Sequence, residues 1–317
     1  VALKNDLAVK DIAVAVPRTP TGRRRGAGAR RALVPFGYLS PTVVLMLVLM
    51  VTPIVMVVAY AMLDNVIIKD SSEFVGLANF SEILGDDVFR LAARNTLVFT
   101  VVSVLVHIVL GLTFATLLNS KVLGRWVLAT FRVLLVLPWL FTVAIVAVLW
   151  RMLLAPNGAV NYLLTSSGLV SENIEWLSSP GSALLAVTVI NIWAGYPFYM
   201  ISLLAGLQGI PNELYEAATV DGASATQRFF YVTVPQLRPL LISLALLDFI
   251  WTTQQFPLIW MTTGGGPINA TEVLSTYTYK LAFSNYEFSM ASASAVIILL
   301  VSMVLAVFYA RAQRARD

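Results

Sequence analysis

Asp248, Trp251, Thr252 and Gln255 stand at offsets of 0, 3, 4 and 7, a spacing that places a carboxylate, an indole, a hydroxyl and an amide on one face of an α-helix. Such a face suits a polyol. A sugar ring stacks on an indole, and buried sugar hydroxyls need amide and carboxylate partners. The surrounding stretch is apolar, and a carboxylate at the centre of a membrane helix costs about 2.5–3.5 kcal/mol, so Asp248 marks a functional position or polar glue between helices.

A second constellation is a polar island from Ile210 to Ser224, followed by Phe229, Pro235 and Pro239, between two apolar runs. Pro211 can open a helix because its missing N–H falls where none is needed, and Asn212 offers a side-chain cap. Glu213 to Val220 then reads as two helical turns, Asp221-Gly222 as a break, and Ala223 to Val232 as a second short helix ending before Pro235. Ala217, Ala218, Gly222 and Ala223 let another backbone approach closely, while Leu214, Tyr215 and Phe229 supply apolar anchors. The piece fits a groove of a partner protein, or serves as an amphipathic surface helix between two spans.

Other chemistry is missing from the sequence. No lysine follows a glycine, so there is no G-x-x-x-x-G-K-[ST] loop to cradle nucleotide phosphates. There is no H-E-x-x-H, no nucleophile paired with a base and no cysteine, which removes the usual grounds for an intramembrane enzyme, a metal centre or thiol chemistry. His107, the single histidine, has no metal-ligand companions and reads as a core or helix-bridging residue. Asn191, Trp193 and Tyr196 read as packing groups around Gly195 and Pro197, with lining of a path as the lesser alternative. Arg132 and Arg151 are placed to snorkel to the two interfaces.

The elements that must hold these groups belong in lipid. Of 317 residues 58% are hydrophobic and 12% charged, against roughly a quarter charged in ordinary soluble domains. Six stretches are long and apolar enough to span as helices, near Leu39–Met62, Asn95–Leu118, Phe131–Leu154, Ala183–Leu207, Leu240–Thr262 and Met290–Ala310. Strand-period alternation is absent, so the fold expected is all-α with six transmembrane helices. An Arg-rich tail at residues 1–32, read as a disordered anchor that is too long for a signal-peptide n-region, should remain cytoplasmic. Lys121, Arg125, Arg228, Arg238, Arg311, Arg314 and Arg316 then fall on the same side, and both termini are expected inside. The expected organisation is thus the tail, a six-helix domain at 33–310 enclosing a cytoplasmic loop at 208–239, and a short tail at 311–317. Nucleic acid is not an expected partner; membrane lipid is.

Glu216-Ala217-Ala218, Asp221-Gly222-Ala223, Phe229, Val234-Pro235 and Pro239 together resemble the signature of permease subunits of ATP-binding-cassette importers. Leu137-Pro138-Trp139, Trp193-x-Gly195-Tyr196-Pro197 and Thr263-Gly264-Gly265-Gly266-Pro267 resemble its carbohydrate branch, that of the larger membrane subunit of the maltose transporter. The resemblance covers about residues 36–310 and implies the six-span type I importer core in a prokaryotic cytoplasmic membrane. It implies that Glu216, Ala217, Ala218, Asp221, Gly222 and Ala223 form a coupling helix seated on an ATPase. It also implies that Trp139, Asp248, Trp251, Thr252 and Gln255 line a sugar path, and that Gly264, Gly265, Gly266 and Pro267 face an external binding protein. Its implied partners are a second permease, two ATPase subunits that hold ATP and Mg, and an extracytoplasmic solute-binding protein; this chain itself needs no cofactor. The implied mechanism is alternating access. The competing reading is an ion- or proton-coupled secondary transporter centred on Asp248, which leaves the island without a purpose.

Overall fold

A computed structural model describes residues 38–64, 67, 72–120 and 124–314. The basic tail expected at 1–32 lies outside the described residues, as do Asp70, Lys121 and Arg316. The chain divides into two compact units, Val1–Ile54 and Val55–Asp317. The first contributes the greater part of helix α1 (Tyr38–Tyr60), which carries a π-helical turn at Leu47–Val51.

The second unit continues with α2 (Ala78–Gly85), α3 (Asp87–Asn119), α4 (Arg125–Leu140), α5 (Val143–Leu153), α6 (Ala159–Ser166) and α7 (Ala183–Gln208). There follow α8 (Asn212–Val220), α9 (Ala225–Thr253), α10 (Pro257–Thr262), α11 (Leu274–Phe283) and α12 (Phe288–Arg314). The β pairing among the described residues is a single bridge, Leu63 to Phe74. Five helices (α1, α3, α7, α9 and α12) are long and apolar enough to cross a membrane, six if the bent pair α4 and α5 counts as one broken span.

Helix α3 is the spine of the bundle, and its sequence shows why. Asn95, Thr96, Thr100, Ser103, His107, Gly111, Ala115 and Leu118 recur at helical spacing and are all buried, a stripe of small and polar side chains. In lipid, packing rather than water exclusion drives helix association, so small residues mark the seams and polar ones bridge them. Gly111 shows the first device: a Cβ there would lie 2.3 Å from the Cβ of Tyr199 on α7, so only glycine lets the two backbones meet. Asn95 shows the second, its Nδ2 donating to the carbonyls of Ala270 and Glu272 at 3.2 and 2.9 Å. Asp86 caps α3 by accepting from Val88 N at 2.9 Å and also takes the Tyr277 hydroxyl at 2.6 Å, which ties α11 to the start of the spine. Burial, then that bond to Asp86, pushes the Tyr277 phenol above its ordinary range.

Two expected spans are broken. The stretch expected as one helix at Phe131–Leu154 turns by 100° between α4 and α5. Pro138 lacks an N–H and crowds the preceding turn, α4 ends two residues later, and Thr142 restarts the chain as the cap of α5, accepting from Ile145 N at 3.5 Å. The stretch expected at Leu240–Thr262 ends at Thr253, where Pro257 has no N–H for the Thr253 carbonyl and instead opens α10 at its first turn.

At its other end α9 is longer than expected. The second island helix does not stop before Pro235; it runs through a π-helical turn at Phe229–Thr233 straight into the span. The wider turn shifts the hydrogen-bond register just ahead of Pro235, so within the continuous helix the proline falls in the first turn of the α-helical stretch that follows, where its missing N–H is tolerated. Asn212 is the first residue of α8 rather than its cap; Pro211 holds the cap position without a side-chain bond. Helix α11, in the connection between the fifth and sixth expected spans, was not legible from apolar periodicity because its buried face mixes Leu274 and Leu281 with Thr276 and Tyr277.

Candidate functional site

Both breaks open on one cavity of about 290 Å³, near the lower end of the roughly 300–1,000 Å³ common for small-molecule sites. Pro138, Trp139 and Phe141 come from the α4–α5 elbow, Asp248, Trp251 and Thr252 from the end of α9, and Gln255 from the α9–α10 elbow. Non-helical backbone at membrane depth persists only where protein buries it or where it borders a polar cavity. Here both elbows meet that condition at the same place.

All five residues singled out for the path, Trp139, Asp248, Trp251, Thr252 and Gln255, line this cavity. They are not one helical face. Gln255 lies beyond the end of α9, in the elbow created by Pro257, and reaches the cavity by the turn of the chain rather than by periodicity. The indoles are the open surfaces, with Trp139 51% and Trp251 57% exposed. Phe198 stands between them, its ring 6.3 Å from Trp139 and 5.6 Å from Trp251.

The floor is polar and closed. Asp248 is 8% exposed and His107 2%. The Asp248 Oδ2 lies 2.8 Å from His107 Nδ1, and its Oδ1 accepts from Thr252 Oγ1 at 3.0 Å. His107 Nε2 lies 3.2 Å from the carbonyl oxygen of Asn191. The Asn191 side chain donates to Ser103 Oγ at 3.0 Å and accepts from Gln255 Nε2 at 3.5 Å. One network therefore ties α3, α7, α9 and the second elbow together. Gly195 is what lets α7 lie against the imidazole, since a Cβ there would come within 2.5 Å of His107 Nε2.

His107 is the polar cavity residue that the sequence reading did not place there, and Asn191 one that it read first as packing. A lone histidine on an apolar helix carries no spacing signal toward Asp248, 141 positions away, nor a lone asparagine toward Gln255, 64 positions away. The hint was only their polarity at membrane depth. Trp193 and Tyr196 pack instead: Trp193 against Phe141 and Trp150, and Tyr196 by a bond from its hydroxyl to the Leu135 carbonyl at 3.0 Å.

The island forms a second feature. In α8, Glu216 and Ala217 are exposed and Ala218 is half-buried; beyond it, Asp221 and Gly222 are exposed and Ala223 half-buried. Gly222 has φ +81°, the left-handed conformation that ends α8 at no steric cost only in glycine. Val220 is 87% exposed, an apolar side chain with none of the described residues over it. Arg228 Nη1 donates to Thr219 Oγ1 at 2.7 Å, and the Tyr215 and Thr233 hydroxyls bond at 3.0 Å, so α8 is clamped to the first turns of α9. Ser224 and Gln227 form a reciprocal capping box at the start of α9.

The glycine turn is folded inward. Gly264 and Gly265 have φ +62° and +88°, and a Cβ on Gly265 would collide with the carboxylate of Glu272, which is fully buried and pairs with Lys280. Gly265 is buried, while Gly264, Gly266 and Pro267 are half-buried, and the neighbouring Ile268 is 88% exposed.

A profile of the family described as binding-protein-dependent transport system inner membrane component matches residues 107–317. Over 286 residues, 88% of this chain and 94% of the relative, the chain is 34% identical to the trehalose/maltose transport system permease protein of Thermococcus litoralis. It is 34% identical over 295 residues, 91% and 89% of the two chains, to the diacetylchitobiose uptake system permease protein of Streptomyces coelicolor. Among solved structures, a bacterial alginate ABC transporter in complex with an alginate pentasaccharide-bound periplasmic protein matches with TM-score 0.78 over 90% of this chain and 96% of that one, at 24% identity.

Proposed function

The chain belongs to the family of binding-protein-dependent transport system inner membrane components, and on that premise we propose that its cavity is the path for a sugar or related polyol. As a member it is the permease subunit of an ATP-binding-cassette importer, a multi-pass protein of the prokaryotic cytoplasmic membrane. That membership sets aside the ion-coupled secondary transporter, the reading that left the island without a purpose.

The observation that carries the sugar reading is the meeting of both helix breaks at a cavity with two open indole faces and the Gln255 and Asn191 amides in its lining. Indoles offer stacking to the C–H face of a pyranose, and the Gln255 and Asn191 amides offer donors and acceptors to its hydroxyls. Relatives named for trehalose/maltose and diacetylchitobiose agree with that class.

In the same reading α8 is the coupling helix, with Glu216, Ala217, Ala218, Asp221, Gly222 and Ala223 against an ATPase subunit that binds ATP and Mg. The support is mechanical. Clamped to α8, α9 runs unbroken from Ala225 to Thr253, so Arg228 and Asp248 sit about 30 Å apart on one rod at 1.5 Å per residue. Closure of an ATPase dimer that pushes α8 moves the cavity wall by the same stroke, and alternating access follows if the two nucleotide states favour different packings. A second permease would cover the open indole side. A solute-binding protein would dock on the opposite face, where the Gly264–Pro267 turn and Ile268 lie. The test is uptake of labelled mono-, di- and oligosaccharides by cells carrying the assembled transporter, with Trp251→Ala beside the native chain. Uptake of one of them that depends on Trp251 is expected; sugar uptake indifferent to Trp251 would overturn the cavity as the path.

A further inference from the structure

We propose that His107 and Asp248 hold one proton between them, so that the cavity floor carries no net charge and Asp248 braces the floor instead of binding solute. Hydrogen-bond complementarity carries the argument. His107 presents Nδ1 to a carboxylate oxygen at 2.8 Å and Nε2 to the Asn191 carbonyl oxygen at 3.2 Å, and both are acceptors. A neutral imidazole has one donor and one acceptor nitrogen. Beside an ionised carboxylate it would set one lone pair against another. A single added proton removes the conflict, either on the ring, which then donates at both nitrogens, or on the carboxyl, which then donates to Nδ1 while Nε2–H serves Asn191.

The ring has no escape from this choice. It is 2% exposed, Gly195 presses on it, and the Tyr199 ring lies 5.7 Å away. Turning the ring over would place carbon atoms against both acceptors. The other charged or titratable groups around the pair are few among the described residues: α3 and α9 supply only His107 and Asp248 to the cavity, α7 supplies Tyr199, whose ring lies beside the imidazole and whose buried neutral hydroxyl stands near Asp248, and the elbows supply none. No lysine or arginine lines the cavity, so compensation of the Asp248 charge falls to the proton. Both Asp248 oxygens already have partners, His107 and Thr252.

A neutral floor makes the site tolerant of solute charge. Selection then rests on the indole faces and on the Gln255 and Asn191 amides, and an anionic glycoside meets no opposing carboxylate. This consequence for solutes depends on the cavity being the path; the proton does not.

Because the chain has one histidine, ¹⁵N-histidine labelling of this subunit alone, reassembled with unlabelled partner subunits, gives a single imidazole that is assigned by its loss in His107→Gln, or in His107→Asn where the glutamine variant fails to assemble. Magic-angle-spinning NMR at neutral pH is expected to show two protonated ring nitrogens, or one unprotonated nitrogen together with a protonated-carboxyl infrared band that disappears in Asp248→Asn. An unprotonated ring nitrogen without that band would overturn the proposal. Thermal unfolding of the complex gives the second reading: His107→Gln, which strands a carboxylate, lowers the transition, and adding Asp248→Asn recovers most of the loss. A further drop in the double variant would also count against it. If the proton is found and Trp251→Ala leaves sugar uptake intact, the path reading fails and the shared proton stands.

Discussion

At the scale of single residues, aromatic faces and close-approach glycines divide the work of the cavity. Trp251 is more than half exposed and holds no hydrogen-bonding duty in the fold, so its truncation should act on the solute and not on the bundle. Trp251→Ala is expected to raise the half-saturating sugar concentration roughly tenfold, about 1.4 kcal/mol of lost stacking, with an unchanged unfolding temperature. Gly195 is the opposite case. Gly195→Ala forces a methyl to within 2.5 Å of the buried imidazole, and overpacking of that kind costs about 1–3 kcal/mol, visible as a lowered thermal transition of the purified complex. Tyr277→Phe should likewise lower the transition, by about 1–3 kcal/mol, since it removes the donor to the Asp86 carboxylate that caps α3.

At the scale of elements, the two elbows and the long rod matter most. Pro257→Ala restores the N–H that the Thr253 carbonyl lacks, so α9 is expected to grow into α10 and pull Gln255 round the helix, away from the cavity. Sugar uptake should fall severalfold while far-ultraviolet circular dichroism stays constant or gains helix. Uptake equal to that of the native chain would show that the break is dispensable. At the other end of α9, Gly222→Trp burdens a left-handed position with a bulky side chain, which costs of order 1–3 kcal/mol locally, and Glu216→Lys reverses a charge on the exposed face. Both variants are expected to assemble in the membrane and to lose transport.

At the scale of the whole molecule, the open surfaces are where partner chains are expected. The indoles of the cavity and the apolar Val220 of the island stand more than half exposed among the described residues. Mild-detergent purification from the native membrane, followed by mass spectrometry, is expected to return an ATPase together with a second six-span permease. Recovery of the chain alone would break the coupling reading. Polar ties such as Asn95 to the carbonyls of Ala270 and Glu272 hold the bundle together over long separations in sequence, as expected where lipid gives no hydrophobic drive for helices to associate.

The sequence by itself determined the class: membrane helices follow from length and hydropathy, because each span must satisfy its backbone internally. It also determined the island, whose α8 follows from Pro211 and Gly222, since proline and glycine act locally on the chain. Only the tertiary structure decided where the spans break, because Pro138 is carried two residues from a helix end and Pro235 and Pro239 are carried inside a continuous helix, and the prolines alone do not tell these outcomes apart. It alone joined His107 to Asp248 and brought Gln255 to the cavity after its helix had ended. Those contacts link residues on different elements, where neither periodicity nor local propensity carries information, and the packing of α3, α7 and α9 supplies it.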